Sequence, residues 1–446
     1  MNKILGTKCL AIGLQMASSP NLIKASFSTS TFLFAEKCKF LIAGGGTGGI
    51  TMAAKILNMG EKSVTVIEPS EVHYYQPYFT LIGGKKKKLE NSNRPTSSVM
   101  PKGAKWIKDK VAKFDPASNT VVTESNGMIE YEYLIVALGM KLAFDKVKGL
   151  TEALETKGVC SIYSPRTVLK TAQALDDFRS GNAIFTHPVN PIKCGGAPQK
   201  IMYLAEEYFS KNGKRDQANI IFNSAIPVFF AVSKYAKALE AVAKSKNISI
   251  NFLHNLVEVK PDTKEAVFDV LDKTGASLRK EVMKYEMLHV TPPMVAPWVI
   301  KSSPLSDASG FMDINKNTLQ SKVFSNVFGL GDCTNAPTSK TAAAVAGQCG
   351  VLAQNIKLAL DGKALNPKYF GYTSCPLVTG YNKGILAEFN YEMVPEETLP
   401  INQRKERSIF FYMKKDLMPF IYWNLMLKGY WSGPKYFRKL FHLWMV

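Results

Sequence analysis

Short apolar runs alternate along the chain with segments that have helical spacing, a pattern typical of parallel strands joined by helices. The first run, 39–43, precedes a glycine-rich turn at 44–49 and a helical segment at 50–57. A second run at 63–67 completes a strand–helix–strand unit. The pattern predicts an α/β fold with two Rossmann-like dinucleotide-binding domains. Later runs that fit this prediction lie at 133–139, 183–186, 219–222 and 326–332.

The glycines Gly44, Gly46 and Gly49 have the spacing of a dinucleotide-binding turn. The first makes the tight turn, the second lets the backbone approach a pyrophosphate, and the third allows close helix–strand packing. Thr47 lies within this turn, where the N–H groups of a helix start face the phosphates. Glu68 ends the second strand, about 20 residues on, where a carboxylate accepts hydrogen bonds from ribose. The sequence therefore predicts a dinucleotide site, against the alternative of a structural glycine turn.

Two later segments indicate FAD rather than NAD as the dinucleotide. The runs at 133–139 and 326–332 end in Gly139 and in Gly331-Asp332. They are similar to the second and third signatures of flavoproteins with two dinucleotide domains. That resemblance assigns the ribityl chain to Asp332, for which a turn residue is the alternative. A predicted helix start follows, whose N–H groups can stabilise a reduced flavin, and it contains Lys340, Thr341, Ala342 and Ala343.

The second predicted domain lacks a nucleotide-binding loop. After the run at 183–186, an NAD domain would show a second set of spaced glycines, whereas 188–198 contains prolines, Cys194 and one glycine pair. The next run, 219–222, ends in Asn223 rather than in an acid. Without these features a pyrophosphate cannot approach the backbone closely. NAD(P)H is therefore not the expected electron donor.

Two cysteines in unusual loops are the candidate reactive pair. Cys194 follows a lysine and precedes a predicted helix, and both features lower a thiol pKa. Cys375 lies in a predicted turn-like segment, 371–376. Cys333, beside Asp332, is a third candidate that could face the flavin. For any one of them, a small buried apolar role is the alternative.

Taken together, these segments resemble the sulfide:quinone oxidoreductases of mitochondria, over residues 38–446. The resemblance implies FAD, hydrogen sulfide as electron donor and ubiquinone as electron acceptor. It further implies that Cys194 and Cys375 form a bridge or carry sulfane sulfur, which passes to glutathione or sulfite. Flavin contacts are implied for Glu68, Gln76 and Asp332, and backbone contacts to adenine for Val111. The resembling segments are 44–54, 68–80, 191–204, 331–346 and 371–381.

The charge balance predicts an acidic partner. The chain has 56 Lys and Arg against 36 Asp and Glu, a net charge of +20. Such a balance fits nucleic acid, an anionic membrane surface or anionic substrates. With the resemblance, we expect a membrane surface and no nucleic acid. The five histidines show no metal-ligand spacing, so we expect no metal.

Both ends of the chain have distinctive compositions. Residues 1–35 contain three lysines, eight Ser or Thr and no acid, which favours a mitochondrial transit peptide over a secretory signal or a disordered leader. Residues 404–446 combine nine Lys or Arg, two acids and many aromatic residues. We expect this tail to lie in the interface of the mitochondrial inner membrane and to be separable from the redox core. A buried tail or a dimer contact is the alternative.

The predicted organisation has five parts. Two other functions stay open, namely a type II NADH:quinone oxidoreductase and a flavin-binding protein with an interaction role. A type II NADH:quinone oxidoreductase needs a second glycine turn for NADH, and neither of these functions needs both cysteines. The parts are a transit peptide at 1–36, an FAD domain at 37–155 and 315–375, a Rossmann-like domain without an NAD motif at 156–314, and a quinone- and membrane-associated region at 376–446.

Overall fold

The computed structural model of the protein describes residues 34–189 and 191–443. The predicted transit peptide, 1–36, lies outside the described residues except for its last three positions, which belong to the first strand.

Strands and helices alternate over most of the described chain. The strands are β1 (Phe34–Ala43), β2 (Val64–Ile67), β3 (Val72–Tyr74), β4 (Asn93–Pro95), β5 (Ala104–Ile107), β6 (Val111–Asp115), β7 (Thr120–Thr123), β8 (Met128–Val136), β9 (Lys141–Leu142), β10 (Val159–Cys160), β11 (Gly181–His187), β12 (Ala218–Ser224), β13 (Ser249–Phe252), β14 (His254–Lys260), β15 (Glu265–Leu271), β16 (Ser277–Lys284), β17 (Met287–His289), β18 (Met294–Val295), β19 (Val327–Gly329), β20 (Thr373–Gly380) and β21 (Lys383–Phe389). The α-helices are α1 (Thr47–Asn58), α2 (Phe79–Gly83), α3 (Thr96–Val99), α4 (Leu150–Ala153), α5 (Pro165–Asp177), α6 (Ala197–Lys211), α7 (Ser233–Ser245), α8 (Trp298–Lys301), α9 (Ala342–Leu360), α10 (Ser408–Tyr412), α11 (Met418–Ile421) and α12 (Lys435–Leu443).

The first sheet has the parallel order β5-β2-β1-β8-β19, with β7 and β6 added in antiparallel pairing beside the first half of β8. Its central strand β1 is buried on both faces, as a continuous apolar run requires, since Phe40 to Ala43 are fully buried. The carboxyl ends of β1, β2 and β19 lead into the glycine turn, Glu68 and Asp332. This edge is where a doubly wound sheet binds its ligand.

The second sheet is also parallel, with the order β10-β17-β11-β12-β13. The loop after β11 leads through Cys194 into α6. A three-stranded antiparallel sheet, β14-β15-β16, packs beside it. The two parallel sheets confirm the predicted pair of Rossmann-like units.

The C-terminal part begins with the antiparallel hairpin β20–β21, which packs against α6. Residues 408–426 then form an irregular helix, in which α10 and α11 alternate with the π-helical segments Met413–Leu417 and Tyr422–Met426. The last helix, α12, has no buried residue. Within residues 34–189 and 191–443, none of the helices combines the length and the apolar character that crossing a membrane requires.

Candidate active site

A cavity of about 1030 Å³ runs from the glycine turn to the C-terminal helices. Its volume lies at the upper end of the range for ligand pockets, roughly 300–1,000 Å³. All but one of the predicted cofactor-binding residues line it; these are Gly44, Gly46, Thr47, Glu68, Gln76, Val111, Asp332, Lys340, Thr341, Ala342 and Ala343. The cavity is large enough to hold a dinucleotide.

The glycine turn shows a separate physical need at each position. Gly44 has a φ of +103°, which favours glycine. A Cβ on Gly49 would lie 1.7 Å from the Gly44 carbonyl oxygen, so Gly49 permits α1 to approach β1 and does not line the cavity. A Cβ on Gly46 would meet nothing within 4 Å, which leaves open space on the cavity side. A pyrophosphate fits this space, next to the first N–H groups of α1.

Glu68 fixes the turn as well as lining the cavity. Its Oε2 accepts a hydrogen bond from the Gly45 N–H at 2.8 Å, and its Oε1 accepts one from the Ser70 N–H at 2.8 Å. Burial raises the pKa of this carboxyl, and the two backbone hydrogen bonds oppose the shift. Each oxygen keeps acceptor capacity for a ribose hydroxyl.

Asp332 lies between two lysines at the end of β19. Burial raises the pKa of its carboxyl, while the positive charges of Lys193 and Lys340 lower it. Lys340 is buried and donates to the carbonyl oxygens of Thr334 at 2.6 Å and Ala336 at 3.2 Å. Lys193 Nζ donates to Gln76 Oε1 at 3.3 Å, which brings two predicted regions together.

The helix start at α9 opens onto the same cavity. Thr341 caps it by accepting from the Ala344 N–H at 3.0 Å, and its hydroxyl also bonds to Thr373 Oγ1 at 2.8 Å. Ala342 and Ala343 line the cavity in the first turn. The unpaired N–H groups of this turn can stabilise negative charge on a bound group.

Cys194 and Cys375 come together although 181 residues separate them. Their Sγ atoms lie 3.9 Å apart. Cys194 lines the cavity and has a left-handed φ of +51°, which is strained for a non-glycine residue. Cys375 is fully buried in β20, so the predicted turn-like segment is in fact a strand. Gly371 precedes this strand, and Pro376 lies within it. Because β20 belongs to a two-stranded hairpin, the missing N–H of Pro376 is tolerated.

Two backbone features bring the sulfurs together. The Cys194 N–H donates to the Lys340 carbonyl oxygen at 2.8 Å, which ties the loop after β11 to the flavin-signature segment. At the start of α6, a Cβ on Gly196 would lie 2.2 Å from Leu377 Cδ2. Any larger residue at this position would require the Leu377 side chain to shift, so Gly196 permits the close approach of α6 to β20.

Positive charge surrounds the two sulfurs. Lys200 Nζ, one turn into α6, lies 3.1 Å from Cys194 Sγ. A hydrogen bond from Cys375 and the charge of Lys200 hold the pKa of the Cys194 thiol well below its ordinary value. The pKa of Cys375 is raised by its hydrogen bond to Cys194 and by burial. Burial and the neighbouring Lys200 lower the pKa of Lys414 to about 7.

The remaining described cysteines are poor nucleophiles. Cys333, the third candidate, is buried with its Sγ 3.4 Å from the Leu330 carbonyl oxygen, and burial raises its pKa to about 11. Burial raises the pKa values of Cys160 and Cys349 to about 12. Reactive thiolate character is thus concentrated at Cys194.

The tail has two distinct halves, and the expectation that it is separable from the redox core is wrong. Its first half contributes buried side chains to the main core, and residues of both halves line the cavity. The buried residues are Phe410, Phe411, Lys414, Pro419, Tyr422, Trp423, Met426 and Leu427. Its second half exposes apolar side chains, namely Tyr430, Tyr436, Phe437, Leu440 and Leu443. Apolar residues of the tail are either buried in the core or exposed at the surface, and amino-acid composition does not distinguish these two roles.

Several site residues have no signal in a sequence motif. Lys414 and Tyr422 lie in the tail, far along the chain from the residues they contact. Tyr163 lines the cavity from outside any motif. Lys200 is the exception, because its position in the helix after Cys194 points to a role beside the thiol.

Comparisons with known proteins show the family to which this chain is similar. The family model described as pyridine nucleotide-disulphide oxidoreductase matches residues 38–174. A mouse protein named mitochondrial sulfide:quinone oxidoreductase is 54% identical over 437 residues, which cover 98% of this chain and 96% of the mouse protein. A protein of the same name from Dictyostelium discoideum is 43% identical and covers 95% of both chains.

A solved structure shares the fold. It is the sulfide:quinone oxidoreductase of the bacterium Aquifex aeolicus, which superposes with a TM-score of 0.75 at 19% identity, over 91% of this chain and 95% of that chain.

Proposed function

This chain belongs to the mitochondrial sulfide:quinone oxidoreductases, and on that basis we propose that it oxidises hydrogen sulfide at Cys194 and Cys375 and passes the electrons through FAD to ubiquinone. Sulfide oxidation coupled to quinone, a flavin cofactor and a mitochondrial location follow from the family. The cysteine pair, FAD itself, the inner membrane and the sulfur acceptor are the proposed part.

The observation that carries the proposal is the 3.9 Å separation of the two sulfurs beside a cavity that fits a dinucleotide. When the pair is oxidised to a bridge, hydrosulfide attacks one sulfur and releases the other as a thiolate. The thiolate with the lower pKa is the better leaving group. Cys194 has that lower pKa, so the persulfide forms on Cys375.

The sulfane sulfur then passes to glutathione or sulfite, which leaves two thiols. Reforming the bridge releases two electrons and two protons. FAD held in the cavity would supply the two-electron acceptor for this step and the link to the quinone. Lys200 stabilises the Cys194 thiolate in this cycle, and Lys414, with a pKa of about 7, can hold or release a proton at its Nζ.

The residues present fit FAD. Gly46 leaves space for a pyrophosphate, Glu68 and Asp332 supply carboxylates, and the starts of α1 and α9 direct N–H groups into the cavity. Ubiquinone fits the end of the cavity formed by the tail, where apolar side chains predominate. The exposed apolar residues of α12, with the exposed basic neighbours Lys435 and Lys439, suit the surface of the inner membrane.

An NADH-driven activity is disfavoured by the loop after β11. It lacks the spaced glycines of a nucleotide turn and places Cys194 at the strained start of α6. An interaction role alone would not require two thiols in contact beside a lysine.

The test is the bleaching of the bound flavin under anaerobic conditions. Sulfide should bleach it within the mixing time of a stopped-flow experiment, and NADH should not. Bleaching by NADH with no response to sulfide would exclude the proposal and favour the dehydrogenase.

Serine variants test the cysteine pair. Cys194→Ser and Cys375→Ser should each retain FAD but lose sulfide-driven reduction of ubiquinone, because neither can form the bridge. The flavin absorbance spectrum and the rate of quinone reduction are measured, with Cys333→Ser as the matched control. Turnover near the wild-type rate would remove that cysteine from the mechanism.

A further inference from the structure

Four polar groups form a buried hydrogen-bonded chain between the tail and the glycine turn. His73 Nδ1 lies 3.3 Å from the Gly45 carbonyl oxygen, and His73 Nε2 lies 2.6 Å from the Tyr422 hydroxyl. The same hydroxyl lies 2.9 Å from Thr47 Oγ1. His73 is 5% exposed and Tyr422 is 2% exposed. The chain therefore joins two parts of the protein that are about as far apart in sequence as the fold allows.

Only one assignment of donors and acceptors is consistent along these four hydrogen-bonded groups. A carbonyl oxygen can only accept, so His73 Nδ1 carries the proton that reaches Gly45. Burial lowers the pKa of His73 to about 4, so the ring is neutral near pH 7 and its Nε2 must accept from Tyr422. The Tyr422 oxygen then accepts from the Thr47 hydroxyl.

This assignment determines which way the glycine turn faces. In a planar trans peptide the C=O and the following N–H point in opposite directions. Holding the Gly45 carbonyl towards His73 therefore turns the Gly46 N–H away from it. Gly46 lines the cavity and has open space beside it. The N–H is thus presented to the place where a pyrophosphate would lie.

The tail continues along α1 beyond Tyr422. Lys55 Nζ donates to the Gly429 carbonyl oxygen and to Ser432 Oγ, both at 2.9 Å. Asn58 Nδ2 donates to the Lys428 carbonyl oxygen at 3.0 Å. The ring of Tyr422 also packs on Tyr75 at a centroid distance of 4.6 Å. Tyr422 is thereby held in place by its surroundings and not only by its hydroxyl.

We propose that His73 and Tyr422 are positioning residues for the pyrophosphate-binding turn, through which the C-terminal tail keeps that turn in its FAD-binding form. The inference rests on the proposed binding of FAD. It assigns to the tail a role in cofactor binding, beyond contact with quinone or membrane.

The test is the dissociation constant of FAD, measured by titrating flavin-free protein and following the quenching of flavin fluorescence. Tyr422→Phe keeps the ring and removes both hydrogen bonds, and we expect Kd to rise about tenfold. His73→Leu should have a similar effect, and His73→Gln should restore part of the affinity because an amide both donates and accepts. The double variant should lose less binding free energy for FAD than the sum of the losses in the two single variants, because His73 and Tyr422 share one hydrogen bond.

Tyr412→Phe is the matched control, because Tyr412 lies in the same tail with its side chain about half exposed. The free energy of unfolding of the flavin-free proteins is measured in parallel. A Kd for Tyr422→Phe equal to that of Tyr412→Phe would overturn the proposal. So would a loss of unfolding free energy without a change in Kd, because the role would then be structural only. The titration uses neither sulfide nor quinone, so failure of the sulfide reaction leaves this result independent.

Discussion

At the residue scale, the reactivity of Cys194 depends on the group placed next to its sulfur. The ammonium group of Lys200 lies 3.1 Å away and reaches the thiol from the first turns of α6. An opposite charge at this distance favours the thiolate. The lysine thus supplies what an ordinary surface cysteine lacks.

We expect Lys200→Met to raise the pKa of Cys194, because it removes the cation and keeps a similar apolar stem. Below the inflection of the pH profile, the thiolate fraction falls, so alkylation at neutral pH becomes slower. The rate at which iodoacetamide modifies Cys194 in the reduced protein is followed against pH by mass spectrometry. Lys211→Met, on the exposed side of the same helix, should leave the profile unchanged. An unmoved inflection in Lys200→Met would show that Cys375 and Lys414 lower the pKa of Cys194 without Lys200.

Sequence alone predicted the candidate site residues whose chemistry is tied to a local pattern, and the structure brings them to one cavity. The glycine turn, Glu68 and Asp332 each follow a strand, so their spacing carries the information. Spacing carries no such information for the residues that shift the thiol pKa values or hold the glycine turn. Lys414, His73 and Tyr422 act on these groups across long separations in the chain. Their partners are determined by tertiary packing, which spacing does not encode.

At the scale of elements, glycines at the junction of β1 and α1 have two different roles, namely close packing at Gly49 and open space for the cofactor at Gly46. Gly49→Ala would place a Cβ against the backbone of Gly44, which cannot move away easily. We expect this variant to lower the free energy of unfolding of the flavin-free protein by about 1–3 kcal/mol. Gly46→Ala has room, so it should cost less than about 1 kcal/mol in unfolding yet weaken FAD binding. Denaturant titration and FAD titration separate the two effects, and equal losses of stability would contradict this division.

The contact of α6 with β20 offers a similar pair of glycine variants to compare. Gly196→Ala would push against Leu377 and separate the two sulfurs, whereas Gly195→Ala meets nothing within 4 Å. We expect Gly196→Ala to slow formation of the Cys194–Cys375 bridge about tenfold and Gly195→Ala to leave it unchanged. Loss of free thiols in the reduced protein, timed after addition of a disulfide oxidant, measures the rate. Equal rates in both variants would show that the helix position is not limiting.

Element types were well predicted where the apolar runs were long. The strands and helices around the glycine turn and Asp332 lie where expected. The prediction of a turn at the Cys375 segment was wrong. Its glycine and proline favoured a turn, whereas the segment forms a strand because β21 pairs with it. Hairpin pairing is a non-local interaction, and the eight residues of β20, which include a proline and a glycine, show little of it on their own.

At the scale of the whole molecule, the two halves of the tail predict different results for two truncations. A chain ending at Pro434 loses α12 and residues 444–446, and it should fold, bind FAD and be bleached by sulfide. It should bind anionic liposomes less well, by roughly 1 kcal/mol for each of the exposed basic residues Lys435 and Lys439, and reduce ubiquinone slowly. A chain ending at Pro400 should expose core surface, aggregate and lose FAD.

Liposome sedimentation, flavin content and quinone turnover are measured for both chains. Full membrane binding by the chain that ends at Pro434 would remove α12 from the anchor. Retention of FAD by the chain that ends at Pro400 would mean that the buried half of the tail is dispensable.

The contact between Tyr422 and the glycine turn also sets an order of assembly. The turn at residues 44–47 is synthesised well before its partner Tyr422, since Thr47 and Tyr422 are 375 residues apart. Domains usually begin to fold from the N-terminal side during synthesis. Here the cofactor pocket is incomplete until Tyr422 has left the ribosome and, in a mitochondrial protein, the import channel. We therefore expect flavin loading to be a late step of maturation, and a chain stalled before Tyr422 to be released as an apoprotein.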